Sequence, residues 1–592
     1  MFKRILLCGA LALMSSVAVA GDGPAWGLIV KLKPEAQTAA STTPPSGRAQ
    51  AQAIDPSARG QARLQAAMQR VGLGDMAHRA LHGGALHHVG TGQLVSHEQA
   101  QTLARQLMVS GAVEWAVPNE RQHLQAAVTP NDALFNPPYS AQWWAMEASG
   151  GSADPIELRR RGVPNLTLAW GTTPGSSTPI VAVLDTGLIS HEDIDPARLV
   201  AGQNFHHSVN SNGSLGALDQ AANNTTDPGD YLTQTEKDAA PAAYANCPVA
   251  HSSWHGTAVT GVIAATANNN LGLAGGNWGV RIMPVRIAGK CGAWESDIVE
   301  AMNWVAGVGN GNVKRADVVN LSFGGSGNCD AAYQTAINTL RANGVVVVVA
   351  AGNDHGAVAR PANCSGVISV AALNRDGFKA NYSNFGTAIT LATVGGDPTS
   401  DGTWGPYLGD SGILTLGNQG TTTVDTDLAG YHYYYYAGTS LAAPVVSATV
   451  ALMRGAQPGL DVQAITTALT ASVRPHVTSS LIAECSSGNP GRCICTTNTC
   501  GAGILDADRA LQYVNSQTLA TLTPQNIDSG DVSLAKASST QDSVSAATAT
   551  GPAENHGGGG GGGAFGSLAL LALAGATAAT ARTLRAQRSR RA

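Results

Sequence analysis

The sequence VVVVVAAGN (Val345–Asn353) places five valines before two alanines, a glycine and an asparagine. A strand with one face in water alternates apolar and polar residues, whereas this run is apolar throughout, so both of its faces must be buried. Three similar runs are separated from it and from each other by segments with helical spacing: Ile180–Leu184, Val318–Leu321 and Val367–Ala372. The pattern predicts an α/β fold over residues 128–515, with a mainly parallel sheet covered by helices on both faces.

Polar residues stand where these strands end and where the helical segments begin. Asp185 ends the first run, Asn353 follows the valine run, and His255 and Ser440 each begin a helical segment rich in small residues. The carboxyl ends of parallel strands and the adjoining helix starts share one edge of a sheet, so we expect the four residues to converge. A serine nucleophile needs an imidazole base, the imidazole needs a carboxylate, and an amide can donate to the oxyanion. Each residue alone is more often a cap or a packing residue, but the set predicts acyl-transfer chemistry.

Five segments resemble the signature segments of the subtilisin-like serine peptidases, in that family's order: VLDTG, HGTAVTGVIAA, LSFGG, AAGN and GTSLAAPVVSA. The resemblance spans about residues 129–514 and implies a subtilisin-like three-layer α/β/α sandwich. It implies Asp185, His255 and Ser440 as a catalytic triad, Asn353 as oxyanion donor, and hydrolysis of protein substrates through an acyl-enzyme. No G-x-S-x-G segment surrounds Ser440, which argues against an α/β-hydrolase. The alternative is an inactive relative that keeps the fold as a binding module.

The same resemblance implies a peptide-binding edge. The LSFGG segment is similar to the strand that pairs with an extended substrate, and with AAGN it walls the first specificity pocket. The residues implied are Ser322, Phe323, Gly324, Gly325, Ala351 and Gly352. The small residues among them predict a roomy pocket that accepts apolar or aromatic side chains.

Structural calcium is a further implication of the resemblance. Three distant segments match the family's strongest site, and the implied ligands are Asp132, Asp193, Asn269, Leu271 and Leu273. Oxygen ligands of this kind suit a hard cation, whereas the alternative is a set of ordinary Asx turns. The DPGD segment at residues 227–230 offers two more carboxylates and leaves a second ion open.

The first 127 residues divide into an export signal and a small unit. Lys3 and Arg4 precede a short apolar run, which predicts a signal peptide over residues 1–20 that signal peptidase removes. Residues 21–127 contain two helical segments and two strand-like ones, WGLIVKLKP and VEWAVPNE, the latter predicted to end at Pro118. The unit resembles the inhibitor-like propeptides of the family, which are small α+β (ferredoxin-like) domains. Self-cleavage near Ala127–Val128 is expected, and an unprocessed accessory domain is the alternative.

Composition and cysteine content indicate an exported protein without a nucleic-acid partner. Charged residues make up only 13% of the chain and the net charge is −5, so no basic surface for nucleic acid is expected. Eight cysteines follow the signal, and an even number in an oxidising compartment favours disulfides of undetermined pairing. A metal bound by Cys493, Cys495 and Cys500 is the alternative. We expect the mature protein to be a monomer.

The end of the chain has an unusual composition. Residues 516–556 are rich in Ser, Thr and Ala and predict a linker. Residues 557–592 combine a glycine run, a weak apolar span and an arginine cluster, and they resemble the GlyGly-CTERM sorting tails of Gram-negative exported proteins. Such a tail implies brief inner-membrane insertion, cleavage by a rhombosortase-like membrane protease, and release by type II secretion. A permanent membrane anchor and a disordered terminus are the alternatives.

Overall fold

The computed structural model describes residues 25–34, 56–81, 85–120, 127–135, 141–149, 159–399, 408–426 and 432–528. The chain divides into two compact units between Gln125 and Ala126. The predicted signal peptide, most of the predicted linker and the predicted sorting tail lie outside the described residues.

The N-terminal unit is a small α+β domain. Its elements, in chain order, are β1 (Ala25–Leu32), α1 (Pro56–Arg70), β2 (His78–Ala80), β3 (Leu86–Val89), α2 (His97–Val109) and β4 (Val113–Glu120). The strands pair antiparallel in the order β2-β3-β1-β4. This βαββαβ order with that sheet is the ferredoxin-like arrangement, as the resemblance implied.

Strand β4 does not end at Pro118, contrary to the prediction. Pro118 lies opposite Leu28 of β1, and the strand continues to Glu120. Because β4 is an edge strand of the sheet, one side of its backbone needs no ladder partner, so a proline is tolerated there.

The second unit contains a seven-stranded sheet and helices on both of its faces. Its first elements, up to the segment that carries His255, are α3 (Leu166–Thr172), β5 (Ile180–Asp185), β6 (Gln203–Asn204), β7 (His207–Val209), β8 (Leu215–Leu218), α4 (Gln234–Ala239), α5 (Pro241–Tyr244) and α6 (His255–Ala264). The elements that follow are β9 (Arg281–Arg286), β10 (Ala288–Gly289), β11 (Gly292–Ala293), α7 (Glu295–Ala306), β12 (Val318–Leu321), α8 (Ala331–Ala342), β13 (Val346–Ala350), β14 (Ile368–Leu373) and β15 (Leu391–Val394). The last are β16 (Ile413–Leu416), β17 (Tyr433–Tyr436), α9 (Thr439–Ala456), α10 (Val462–Ser472), β18 (Thr478–Ser479), α11 (Ala507–Val514) and β19 (Asn526–Ile527). Short 3-10 turns occupy Trp143–Ala145 and Pro196–Arg198.

All seven strands of the main sheet run parallel, in the order β15-β14-β13-β12-β5-β9-β6. The valine run forms β13 and explains the layers. Val346 and Val348 belong to one core with helices α6 and α9, whereas Val347 and Val349 belong to a second core with α7 and α8. Alternate side chains of one strand thus fill two cores, and the predicted three-layer α/β/α sandwich is confirmed.

Helix α9 is apolar because it is the central helix of the first core. Among the described residues it is the one helix with the length and hydropathy of a membrane span, and 89% of that window is buried inside the protein. Its apolar surface is therefore used for packing against the sheet.

Four disulfides form among the described residues, as the cysteine count favoured: Cys247–Cys291, Cys329–Cys364, Cys485–Cys493 and Cys495–Cys500. The first fixes the long insertion between β5 and α6 to the turn between β10 and β11. The last three cysteines, proposed alternatively as metal ligands, are all engaged in these bonds. Strand β19 pairs with β18 and buries Ile527, so the packed chain extends past the boundary predicted at residue 515.

Candidate active site

The end of strand β5 and the start of helix α6 meet at the carboxyl edge of the sheet. Asp185 is the last residue of β5 and His255 is the first of α6, and both are buried. The Nδ1 atom of His255 lies 2.7 Å from Oδ1 of Asp185, which also accepts a hydrogen bond from the Thr186 N–H at 2.8 Å. Burial lowers the pKa of His255, but the charge and hydrogen bond of Asp185, with the charges of Asp230 and Asp227, raise it above its usual value overall.

A glycine allows this close approach. A Cβ on Gly256 would lie 2.1 Å from the Gly187 carbonyl oxygen and 3.2 Å from Cβ of Asp185. Any side chain there would push α6 away from β5 and separate the histidine from the aspartate.

Ser440 is the second residue of α9 and lies against the segment that follows β12. Its Oγ donates to the carbonyl of Ser322 at 3.2 Å, and the Ser322 hydroxyl donates to the carbonyl of Ser440 at 3.0 Å. The neighbouring Phe323 packs edge-on against the His255 ring, with centroids 5.3 Å apart. The Ser322–Phe323 dipeptide therefore contacts both Ser440 and His255.

A buried polar chain behind Ser440 was missed from the sequence. Ser447 of α9 donates to Oδ1 of Asn320 at 2.8 Å, and the Nδ2 of Asn320 donates to the Ser322 hydroxyl at 3.1 Å. Ser447 and Asn320 are fully buried. The available signal was a single asparagine within the otherwise apolar strand β12.

Asn353 lies three residues beyond β13, with its side-chain amide in a fixed orientation. Its Oδ1 accepts from the Thr439 N–H at 2.9 Å and from the Thr439 hydroxyl at 2.9 Å. Because the oxygen faces Thr439, the Nδ2 donor is the end that is left for another acceptor. That nitrogen lies 3.5 Å from the position of a Cβ on Gly438, which immediately precedes the start of α9.

The predicted substrate residues fall into two groups. Ser322, Phe323 and Gly324 follow β12 near His255 and Ser440, and Gly352 donates its N–H to the Thr439 hydroxyl at 3.1 Å. The other two are engaged internally, Gly325 by a two-bond ladder with Arg360 and Ala351 by burial and by bonds to Val370 and Ala359.

A cavity of about 490 Å³ lies just beyond the two predicted walls. It is lined by residues that directly follow LSFGG and AAGN, among them Ser326, Asn328 and Asp354. Asp354 is the one charged residue among the described residues that line it. None of the six predicted wall residues is among the described residues that line it, so the roomy apolar pocket stays a prediction.

The predicted calcium ligands come together from distant parts of the chain. Asp132 accepts from the N–H groups of Asn268 and Asn269, and Asp193 accepts from the Leu273 N–H at 3.0 Å and from Asn269 Nδ2 at 2.8 Å. Burial, with the charges of Asp132 and Glu192, raises the pKa of Asp193 to about 7. Two buried carboxylates side by side fit a hard cation, which would compensate their charge. Leu271 is in the same loop and half exposed.

Comparison with known proteins assigns the family. The model of the peptidase family described as the subtilase family matches residues 176–503. The chain belongs to the subtilase family. This subtilase is 37% identical over 419 residues to an extracellular protease of Xanthomonas campestris pv. campestris, a match that covers 70% of the chain and 61% of the relative.

Two further matches bear on the fold and on calcium. A solved structure of proteases from Pseudoalteromonas arctica is 35% identical, with a TM-score of 0.50, and the match covers 65% of this subtilase and 100% of that chain. A calcium-dependent protease of Trichormus variabilis is 29% identical over 318 residues, covering 50% of this chain and 41% of the relative. The chain spans about three-fifths of the length of the first curated relatives that it matches.

Proposed function

We propose that this subtilase is a secreted serine endopeptidase that hydrolyses peptide bonds in proteins through an acyl-enzyme. The observation that carries the proposal is the convergence of Asp185, His255, Ser440 and Asn353 at one edge of the sheet. The extracellular protease to which the chain is similar supports secretion.

In the first half of the reaction, Ser440 Oγ attacks the carbonyl carbon of the scissile bond and gives its proton to Nε2 of His255. The Asp185 carboxylate, 2.7 Å from Nδ1, holds the imidazole in the required tautomer and stabilises the imidazolium. The imidazolium then protonates the leaving nitrogen, the C–N bond breaks, and an ester on Ser440 is left. In the second half of the reaction, water attacks the carbonyl carbon of this ester and gives its proton to His255. The imidazolium then returns a proton to Ser440 Oγ, and the acid product leaves.

Asn353 stabilises the tetrahedral intermediates. The carbonyl oxygen becomes negatively charged in both halves of the reaction, and Nδ2 of Asn353 donates to it. Because two bonds from Thr439 already orient the amide, little reorganisation is needed when the charge develops.

The substrate lies as an extended peptide along Ser322, Phe323 and Gly324 and places one side chain in the cavity that Asp354 lines. Asp132, Asp193 and Asn269, with the carbonyls of Leu271 and Leu273, hold a structural calcium ion. The ion supplies charge compensation and ties the start of the second unit to the loop after α6. The similarity to a calcium-dependent protease supports this assignment.

Maturation removes both ends of the chain. The N-terminal unit acts as a propeptide that the enzyme cuts near Ala127–Val128. In support, Val128 donates its N–H to the Thr167 carbonyl at 2.9 Å, so the chain is attached to the second unit from there onward. The tail, residues 557–592, is removed by a rhombosortase-like protease before type II secretion, and the mature protein acts as a monomer.

The function is tested with the full chain and its Ser440→Ala variant. Casein cleavage that a serine-directed phosphonate blocks is expected for the parent, whereas the variant should be inactive and keep its propeptide on a gel. Absence of phosphonate-sensitive cleavage by the parent would leave the binding-module alternative. Replacing the glycines of 557–563 with leucine should hold the enzyme on the cell, and unchanged release contradicts the tail assignment.

A further inference from the structure

The DPGD segment uses both of its carboxylates to hold groups beside the site. Asp227 is buried, its Oδ2 accepts from the Thr186 hydroxyl at 2.6 Å and its Oδ1 accepts from the Gly229 N–H at 2.8 Å. Asp230 accepts from the N–H and from the hydroxyl of Ser253, both at 2.6 Å. All four oxygens thus face hydrogen-bond donors, so the segment is a clamp that holds Thr186 and Ser253 in place. The second ion at this segment stays a prediction.

The groups that are held flank the Asp185–His255 pair on both sides. Thr186 follows Asp185 and donates its N–H to that carboxylate, while its hydroxyl oxygen accepts from the Gly256 N–H at 3.0 Å. Gly256 follows His255, and Ser253 precedes it by two residues. One segment therefore contacts the residue after the aspartate and the residue two before the histidine.

The Thr186 hydroxyl links the residue after Asp185 to the residue after His255, and its single hydrogen decides whether it can do so. It can accept from Gly256 only while its own hydrogen points elsewhere, and Asp227 is the acceptor that takes that hydrogen. An acceptor at residue 227 therefore sets the orientation that joins β5 to the start of α6.

We infer that Asp227 and Asp230 are positioning residues that hold the Asp185–His255 pair in its reactive geometry through Thr186 and Ser253. The inference rests on the proposed peptidase function.

The insertion that carries these residues is braced at its far end. The Cys247–Cys291 disulfide joins it to the turn between β10 and β11. The Glu236 carboxylate pairs with Lys290 of the same turn, and the Lys290 Nζ lies 3.7 Å from the centre of the Tyr231 ring. The DPGD segment is thus supported from both directions, as a positioning element requires.

The clamp also has an electrostatic effect on the histidine. Among the described residues, the carboxylates of Asp185, Asp227 and Asp230 are the charged groups that raise the pKa of His255. Burial raises the pKa of Asp227 to about 7, so this carboxylate contributes its charge only above about that pH. Removing the Asp230 carboxylate therefore lowers the pKa of His255, and removing the Asp227 carboxylate does so where Asp227 is ionised. Because the base must be neutral to accept a proton, the acid limb of the activity profile moves to lower pH.

The test compares Asp227→Asn, Asp230→Asn, Thr186→Val and Thr186→Ser in the full chain, with a peptide substrate and with kcat and KM measured well above the pKa of Asp227. An asparagine at residue 227 that keeps Oδ1 toward the Gly229 N–H presents Nδ2 to Thr186, so the Thr186 hydroxyl loses the acceptor of its hydrogen. In the opposite orientation, Nδ2 faces the Gly229 N–H and that bond is lost. We expect kcat to fall about tenfold for Asp227→Asn and Thr186→Val with KM unchanged. Thr186→Ser keeps the hydroxyl and should retain parent activity. The double variant that combines Asp227→Asn with Thr186→Val should lose no more kcat than either single variant, because both remove the same bond.

Asp317→Asn is the matched control. Asp317 accepts from the Ile180 N–H at 3.0 Å and so holds the amino end of the same strand β5, at the opposite edge of the sheet. The Asp317→Asn variant should change Tm without changing kcat or the acid limb.

The inference is overturned if the clamp variants match this control in kcat and pH profile. If Asp227→Asn does not fold, equal kcat for Thr186→Val and Thr186→Ser overturns it, whereas a parent without peptidase activity refutes the proposed function instead.

Discussion

Replacing Asn353 with leucine tests the oxyanion assignment directly. The leucine removes the Nδ2 donor but keeps a side chain of similar size beside Thr439. Loss of one such donor costs about 2.7–4 kcal/mol of transition-state stabilisation, a figure measured in a relative of this family, so kcat should fall about 10²–10³-fold. KM should change little, because the bond strengthens only as the oxygen becomes negative.

A second pair of variants measures how the amide is oriented. Thr439→Val removes one of the two bonds to Asn353 Oδ1 but keeps the backbone N–H, and it also leaves the Gly352 N–H without its acceptor. We expect a loss of about 1 kcal/mol, or about fivefold in kcat. Thr439→Ser retains the hydroxyl and is the matched control, for which near-parent kcat is expected.

Steady-state kinetics with a chromogenic peptide, together with active-site titration, gives kcat for correctly folded enzyme only. The assignment fails if Asn353→Leu keeps kcat within about threefold of the parent while Ser440→Ala abolishes it. If Asn353→Leu instead raises KM by about 10²–10³-fold and leaves kcat unchanged, Asn353 binds the ground state and the transition state alike.

Three further outcomes follow from the geometry. Because the pKa of His255 is raised, its imidazole becomes neutral only at a higher pH than an unperturbed histidine does. Peptidase activity should therefore fall on the acid side at a higher pH than an unperturbed histidine would give. An acid limb at or below the pKa of an unperturbed histidine contradicts this expectation. Chelation should lower Tm of the mature enzyme, and Asp193→Asn should abolish that chelator effect; an unchanged midpoint in calorimetry counts against the calcium site. Serine at both Cys247 and Cys291 should cost about 2–4 kcal/mol in denaturant unfolding, and more than removal of Cys495–Cys500, which closes a far shorter loop; equal losses would refute the loop-length argument.

The layers of the fold were predictable because the valine run carries its own constraint. A strand that is apolar on both faces has to lie between two cores, and Val346 and Val347 do belong to different ones. The prediction that β4 ends at Pro118 was wrong because a proline stops a strand only where a neighbouring strand needs a backbone N–H at that position. Whether a strand lies at the edge depends on the order of strands in the sheet, which the local sequence does not contain. Ile527 was missed for the same reason, since its partner Thr478–Ser479 lies far away in the chain.

The candidate site was predictable where the chain itself supplies the geometry. Asp185 ends a strand and His255 begins a helix, so sheet topology alone brings them to one edge. Their support was not predictable, because the Thr186 hydroxyl contacts residue 227 across an insertion whose path no local pattern describes. The disulfide partners of that insertion were open for the same reason, since pairing depends on where distant turns meet.

The polar chain behind Ser440 shows how a buried asparagine is tolerated in a sheet built from valine. Asn320 lies in β12 with both of its side-chain groups bonded, its oxygen to Ser447 and its nitrogen to Ser322. A buried amide without these partners would cost more than an apolar residue, so its presence is explained only by the bonds that it makes. Those bonds connect α9 to the dipeptide that contacts both Ser440 and His255. The Asn320 side chain therefore joins the core around helix α9 to the edge of the sheet where the candidate active site lies. A substitution at Asn320 should lower both Tm and kcat.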